Sequence, residues 1–132
     1  GTPKDIYSKP NTKFVAEFIG SPQMNLFNCK IENGNVKIGD SHINLDSSIN
    51  IQDASIGVRP DDIQVNQNGK FEIKANLVEY LGSDMIIYSS IGNRDFSCKL
   101  SSKIDVKAGD NFKFDILSSS VHIFDNTTNK RV

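Results

Sequence analysis

The sequence has no tryptophan, two cysteines and three arginines among its 132 residues. Each scarcity removes a class of function. Single-stranded nucleic acid needs aromatic platforms beside a basic groove, but Phe71, Phe112 and Phe114 alternate as core residues do. Arginine, the better bidentate reader of phosphates and base edges, is confined to Arg59, Arg94 and Arg131. With 15 basic and 16 acidic residues the formal net charge is −1, so a nucleic-acid partner lacks its electrostatic footprint. No apolar run approaches the roughly 18 residues of a membrane helix, and no basic segment followed by an apolar stretch marks a signal peptide. Cys29 and Cys98 stand far apart in strand-like stretches, outside any CxxC and without a histidine at ligand spacing, which removes support for a zinc or other metal site. They read as small core hydrophobes in a reducing compartment, with a disulfide as the alternative.

Catalytic motifs are missing as well. Gly69-Lys70 is followed by Phe71, not Ser or Thr, so no phosphate-cradling loop of the GxxxxGK(S/T) kind is present, and GxSxG is absent. His42 and His122 each lie in strand-like surroundings without a second ligand nearby, and read as structural or surface histidines. Asp61-Asp62 cannot share a proton as a catalytic pair on a strand, because neighbours point to opposite faces. A turn after Pro60, stabilised by the aspartate side chains, accounts for them. The chain on its own is expected to be neither an enzyme nor a cofactor binder.

What is present is turn chemistry. Hydrophobic residues make up 37% and charged residues 23% of the chain, the balance of one ordinary globular domain. Residues 1–22 read as a short helical arm. Pro3 fits a first turn, Pro10 ends a first short helix, and Thr12 caps a second on which Phe14 and Phe18 share a face. Gly20, Ser21 and Pro22 then stop it. An opening Gly1-Thr2-Pro3 without methionine is expected of a piece of a longer chain. Residues 23–132 read as strands: Leu26 to Ile31, Val36 to Ile38, Ile43 to Leu45, Ile56 to Arg59, Ile63 to Val65, a clean alternation through Phe71, Ile73, Ala75 and Leu77, then Met85 to Ile91, Asp95 to Leu100, Phe112 to Ile116 and Val121 to Phe124. Asn33-Gly34 and Asn68-Gly69 carry the strongest short hairpin signal. Gly39-Asp40, Leu81-Gly82-Ser83-Asp84 and Gly92-Asn93 mark further turns. Short strands with frequent turns and no intervening long helix predict an all-β sandwich or small barrel.

Four stretches carry a family resemblance in one consistent order. "GTPKDIYSKPNTKFVAEFIGSPQMNLF" resembles the junction following the ATPase domain in ATP-binding subunits of bacterial sugar and glycerol-phosphate ABC importers. "IGVRPDDI" (Ile56 to Ile63) resembles that family's GxRPE segment, while "VEYLGSD" (Val78 to Asp84) and "HIFDNTTNKR" (His122 to Arg131) are similar to its later motifs. The resemblance implies a C-terminal regulatory module of the transport-associated OB (TOBE) type, an OB-fold-like small antiparallel barrel on a helical connector. It implies ATP and Mg²⁺ in a separate nucleotide-binding domain, and as partners that domain, a second copy of the subunit and membrane permease subunits. It also implies a cytoplasmic place at the inner face of the plasma membrane. Carried over by motif, Arg59, Asp61, Glu79, Ser83 and Asp84 are the interface or regulatory candidates, and Gly20, Ser21 and Pro22 the structural junction. Asp61 stands where the family usually has Glu, and Asn129 replaces a frequent Gly while tolerating the same left-handed geometry. Arg59 could hold Asp61, Asp62 or Glu79 in a bidentate pair, either to fasten a loop or to contact a second subunit. The alternative function is small-ligand binding of an oxyanion or sugar phosphate, for which "LSSK" (Leu100 to Lys103) and "LSSSVH" (Leu117 to His122) are the nearest candidates.

Overall fold

The computed structural model describes residues 23–132; the expected connector over 1–22, with Gly20, Ser21 and Pro22, lies outside the described residues. From Asn25 onward strand follows strand: β1 (Asn25–Ile31), β2 (Asn35–Ile38), β3 (Ser41–Asn44), β4 (Ile51–Val58), β5 (Ile63–Val65), β6 (Phe71–Lys74), β7 (Leu77–Leu81), β8 (Asp84–Ile91), β9 (Arg94–Ser101), β10 (Asn111–Ile116), β11 (His122–Asp125) and β12 (Lys130–Arg131). Short 3-10 turns occupy Pro60–Asp62 and Ser118–Ser120. Among the described residues, no helix is long and apolar enough to cross a membrane.

Local turn chemistry explains most of these boundaries. Asn33 and Gly34 have φ of 50° and 75°, the paired positive values of a type I′ turn whose twist suits flanking strands, and they bring Glu32 onto Asn35. Gly39-Asp40, Gly82-Ser83 and Gly92-Asn93 each have positive φ at the glycine alone, the type II′ pattern. Asn68-Gly69 behaves differently, and the hairpin expected there does not form. The strands it joins, β5 and β6, are both paired with β10, which lies between them. Gly69 is needed for close approach instead: a Cβ at this position would run into the Phe114 backbone. Asp115 fastens the crossing by accepting from the Lys70 N–H at 3.0 Å and from Asn66 Nδ2 at 2.8 Å. Those two bonds, the backbone one first, hold the Asp115 carboxyl below the usual carboxylate range.

All pairings are antiparallel. They build a sheet of order β1-β4-β11-β12, two three-stranded sheets, β5-β10-β6 and β7-β8-β9, and the β2-β3 ribbon. A line of phenylalanines joins three of them. Phe27 of β1 lies 6.1 Å from Phe96 of β9, which lies 5.4 Å from Phe114 of β10, itself 5.3 Å from Phe71 of β6. Each such fully buried ring contributes on the order of 2 kcal/mol from area alone. Phe71, Phe112 and Phe114 are buried as the alternation predicts. The result is the all-β, OB-like arrangement of small antiparallel sheets around a shared core.

The alternation through Phe71, Ile73, Ala75 and Leu77 proves to be two strands rather than one. Ala75 N–H donates to Asp110 C=O at 2.8 Å, and Asn76 N–H donates to Tyr88 C=O at 2.9 Å. Between those two bonds the chain leaves one sheet and enters another. Ala75 stays buried, whereas Leu77 is 59% exposed.

Candidate interaction surface

At the end of β4, Arg59 has φ −73° and ψ 143°, the extended backbone that a following proline requires. Asp62 N–H donates to Arg59 C=O at 3.0 Å and closes the turn without a side-chain cap. The backbone therefore makes the turn that the aspartates were expected to stabilise. The Arg59 side chain is 7% exposed and acts by charge on two neighbours. Burial, then the Asp61 charge, raises the Asp62 carboxyl, and Arg59 partly offsets both. His122, on β11, is pushed down to about 4 by burial first and then by the positive charges of Arg131 and Arg59. Its buried Nδ1 has no hydrogen-bond partner among the described residues. Asp61 is exposed beside this interior cluster.

Glu79, Ser83 and Asp84 come together on the β7–β8 hairpin. The register sets Leu81 opposite Asp84, Glu79 opposite Ile86 and Leu77 opposite Tyr88. Alternation then places Leu77, Glu79 and Leu81 on one face. The Tyr88 hydroxyl donates to Glu79 Oε1 at 3.3 Å, and Asp84 lies 3.9 Å from Lys99 on the next strand. Ser83 C=O accepts from Ser102 N–H at 2.9 Å, which ties the hairpin tip to the chain leaving β9. Partial removal from water, then the Glu79 charge, raises the Tyr88 phenol above its ordinary range. Around these polar groups β7 is unusually apolar for an edge. Tyr80 is 62% and Leu81 51% exposed.

Next to the hairpin, β1 crosses the outer edge of β9. The buried Asn25 amide donates to Ser97 C=O and accepts from Ser97 N–H, both at 2.8 Å, so one side chain does what a paired strand residue would do. Arg94 donates to Leu26 C=O from Nε at 3.3 Å and from Nη2 at 2.9 Å. Between these bonds and Leu77 an open groove of about 840 Å³ runs past Met24, Tyr88, Asn93 and Asp95. Its walls are half apolar and half hydrogen-bonding, a composition able to seat a small polar ligand. The two polar stretches named from sequence lie elsewhere. Ser101 Oγ accepts from Lys103 N–H at 3.2 Å, and Ser118–Ser120 forms the second 3-10 turn. Among the described residues no three His, Cys, Asp or Glu side chains gather as a metal site would need. Both thiols are free, and burial pushes Cys29 up to about 11 and Cys98 up to about 12, so they stay protonated and unreactive. His42 is exposed and hydrogen-bonds Asn35 Oδ1 at 3.0 Å.

Sequence reasoning missed Asn25, Leu77, Tyr88 and Arg94. Asn76, a residue type depleted in strands, carried the hint that the strand ended before Leu77. For Asn25, one of three polar residues in β1 with Asn28 and Lys30, the sequence carried no distinguishing hint.

A family model described as "TOBE domain" matches residues 56–124, and one described as "MalK OB fold domain" matches residues 20–63. The whole chain is 33% identical to the oligosaccharides import ATP-binding protein MsmX of Bacillus subtilis (strain 168), covering 40% of that protein. It is 32% identical to the sn-glycerol-3-phosphate import ATP-binding protein UgpC of Psychromonas ingrahamii, again over the whole chain and 38% of the relative. A second such protein, UgpC 2 of Agrobacterium fabrum, is 33% identical over the whole chain and 37% of its own length. The chain thus spans about two fifths of the length of these relatives.

Proposed function

This chain belongs to the TOBE-domain family, and from that premise we propose that it is the regulatory, dimer-stabilising portion of the ATP-binding subunit of an ABC importer for sugars or related solutes. The observation that carries the reading is the match of the entire chain to a fixed share of ATP-binding subunits named for oligosaccharide and glycerol-phosphate import. Its partners are its own nucleotide-binding domain, where ATP and Mg²⁺ act, a second copy of the subunit, and the permease subunits at the inner face of the membrane. The residues described here take no part in hydrolysis.

The physical contribution is a tether. Two ATP-binding domains close on nucleotide and separate after hydrolysis. A contact that persists between their appended domains keeps each at a high effective concentration for the other, without new contacts at the nucleotide. The exposed Asp61 and the hairpin bearing Glu79, Ser83 and Asp84 supply surface for a subunit or a regulator, whose preference for one state would bias the cycle. Arg59, buried at the end of β4, shapes that surface from within.

The test compares ATP-driven dimerisation of the full subunit with a version lacking residues 23–132, by sedimentation. The deletion is expected to weaken the dimer and slow re-association. Equal dimerisation of the two refutes the tether. The groove beside Arg94 favours a second reading, in which a small oxyanion or sugar phosphate binds there. Thermal shift with molybdate, sulfate, glycerol phosphate and free sugars decides it, and the absence of stabilisation by any of them removes it.

A further inference from the structure

We propose that the free edge of β7 is where this chain meets a second copy of itself, by antiparallel β7–β7′ pairing about a two-fold axis through Tyr80. The inference rests on the dimer-stabilising reading above and adds to it a surface and a register.

The two edges of the β7-β8-β9 sheet are treated differently. On β9, the Asn25 amide occupies both backbone groups of Ser97. On β7, no strand or side chain among the described residues takes that role, and Leu77, Tyr80 and Leu81 are 59%, 62% and 51% exposed. Exposed edges are ordinarily blunted by charge, a bulge or a covering segment. Glu79 is the one charge on this strand, and its carboxylate is drawn back over its own sheet by the Tyr88 hydroxyl. Among the described residues the edge is left apolar and accessible.

The register follows from the backbone. In a two-residue hairpin closed at Leu81 and Asp84, residues Leu81, Glu79 and Leu77 exchange bonds with β8. The N–H and C=O of Val78 and Tyr80 then point outward. A symmetric partner can centre on Tyr80, on Val78, or on Glu79 between them. Centring on Glu79 sets two carboxylates directly opposite each other, which like charges disfavour. Centring on Val78 would pair Asn76 with Tyr80′, but the Asn76 N–H is already given to Tyr88 C=O. Centring on Tyr80 has neither fault. It places the two tyrosines together at the axis and each Glu79 opposite Leu81′.

The size of the contact limits the kind of partner. A five-residue strand buries well under the roughly 1,200 Å² of a stable free-standing interface. Such an edge suits a partner already held nearby, as a second copy tethered through a larger subunit would be. The free chain then associates with a dissociation constant on the order of a millimolar, comparable with the concentration that a tether supplies.

The test uses this chain with Cys29→Ser as background, sedimentation equilibrium to about 1 mM, and thiol cross-linking by a short bis-maleimide. Tyr80→Cys is expected to join into a dimer through the linker, because a hydrogen-bonded Tyr80 pair would stand about 5.5 Å apart at Cα, too wide at Cβ for a direct disulfide but within reach of a short bridge. Leu117→Cys, 46% exposed on another surface, is expected not to. Leu81→Glu, which in this register sets like charges directly opposite each other at Glu79′, is expected to weaken association about tenfold while leaving the melting temperature unchanged. If the chain dimerises but Tyr80→Cys fails to link and Leu81→Glu has no effect, the edge is the wrong surface while the dimer reading stands. A chain monomeric throughout, with no Tyr80→Cys link, overturns the self-pairing and leaves the edge to a strand of another protein. The deletion test on the full subunit then judges the tether separately.

Discussion

Replacing Asn25 by alanine tests what holds β1 to β9. The Asn25 amide makes two buried hydrogen bonds of 2.8 Å to the backbone of Ser97, a residue 72 positions away. Alanine removes both and leaves the Ser97 N–H and C=O facing an apolar side chain. Each lost bond contributes about 1 kcal/mol net, and each buried backbone group left unpaired costs about 1–3 kcal/mol. Ser97 borders the groove and is 9% exposed, so water can recover part of that cost, and the expected loss is about 2–4 kcal/mol. That is a large share of the 5–15 kcal/mol typical of a domain. Urea unfolding followed by circular dichroism reads the loss, and amide exchange reads its location, since protection at Ser97 should fall before that of β8. Asn25→Asp sharpens the test: its carboxylate still accepts from the Ser97 N–H but opposes the Ser97 carbonyl, and it should lose nearly as much at neutral pH. An alanine variant within about 0.5 kcal/mol of the parent, with unchanged Ser97 protection, would refute the account.

Acid should expose His122. Its folded pKa of about 4 lies below the ordinary 6.5, so the unfolded chain binds the proton first; stability is complete above 6.5 and is lost as pH falls towards 4, by at most about 3 kcal/mol. His122→Gln should flatten urea unfolding across that window, and an imidazole seen by NMR to titrate near 6.5 sinks the idea. Gly34→Ala meets both positive φ and the Asp46 backbone, whereas Gly92→Ala meets positive φ in open space. The first should cost about 2–4 kcal/mol and the second about 1 kcal/mol, with equal melting temperatures as the contrary result.

Turn chemistry was legible because it is local. Asn33-Gly34, Gly82-Ser83 and Gly92-Asn93 specify their geometry within two residues, the proline after Arg59 fixes an extended backbone, and Asn129 takes the left-handed φ of 59° expected of a glycine substitute. Pairing was less legible. Nothing in Asn68-Gly69 reveals that β10, far along the chain, will separate the two flanking strands. Alternation reports which face a residue shares but not which sheet it belongs to, and so Leu77 looked like core. The candidate residues were similarly divided: a shared motif carried Arg59 and Asp61 together, yet one is buried and its near neighbour exposed. Burial of a charge depends on the far elements that pack over it, here bringing His122 and Arg131 near Arg59.

The place of β4 has a consequence for how the chain is made. Ile56 pairs with Phe27 on one side and with Ile123 on the other. As a nascent chain emerges, β1 and β4 can form a ribbon early, but the second edge of β4 waits for almost everything that follows. Such distant pairing is slow to close, and in the interval Ala54, Ile56 and Val58 present an apolar strand edge to other chains. A chain terminated before Val121 never covers it. Residues 121–132 therefore act as the step that ends a period of vulnerability to aggregation, and termination ahead of them should yield insoluble product although the phenylalanine core is already encoded.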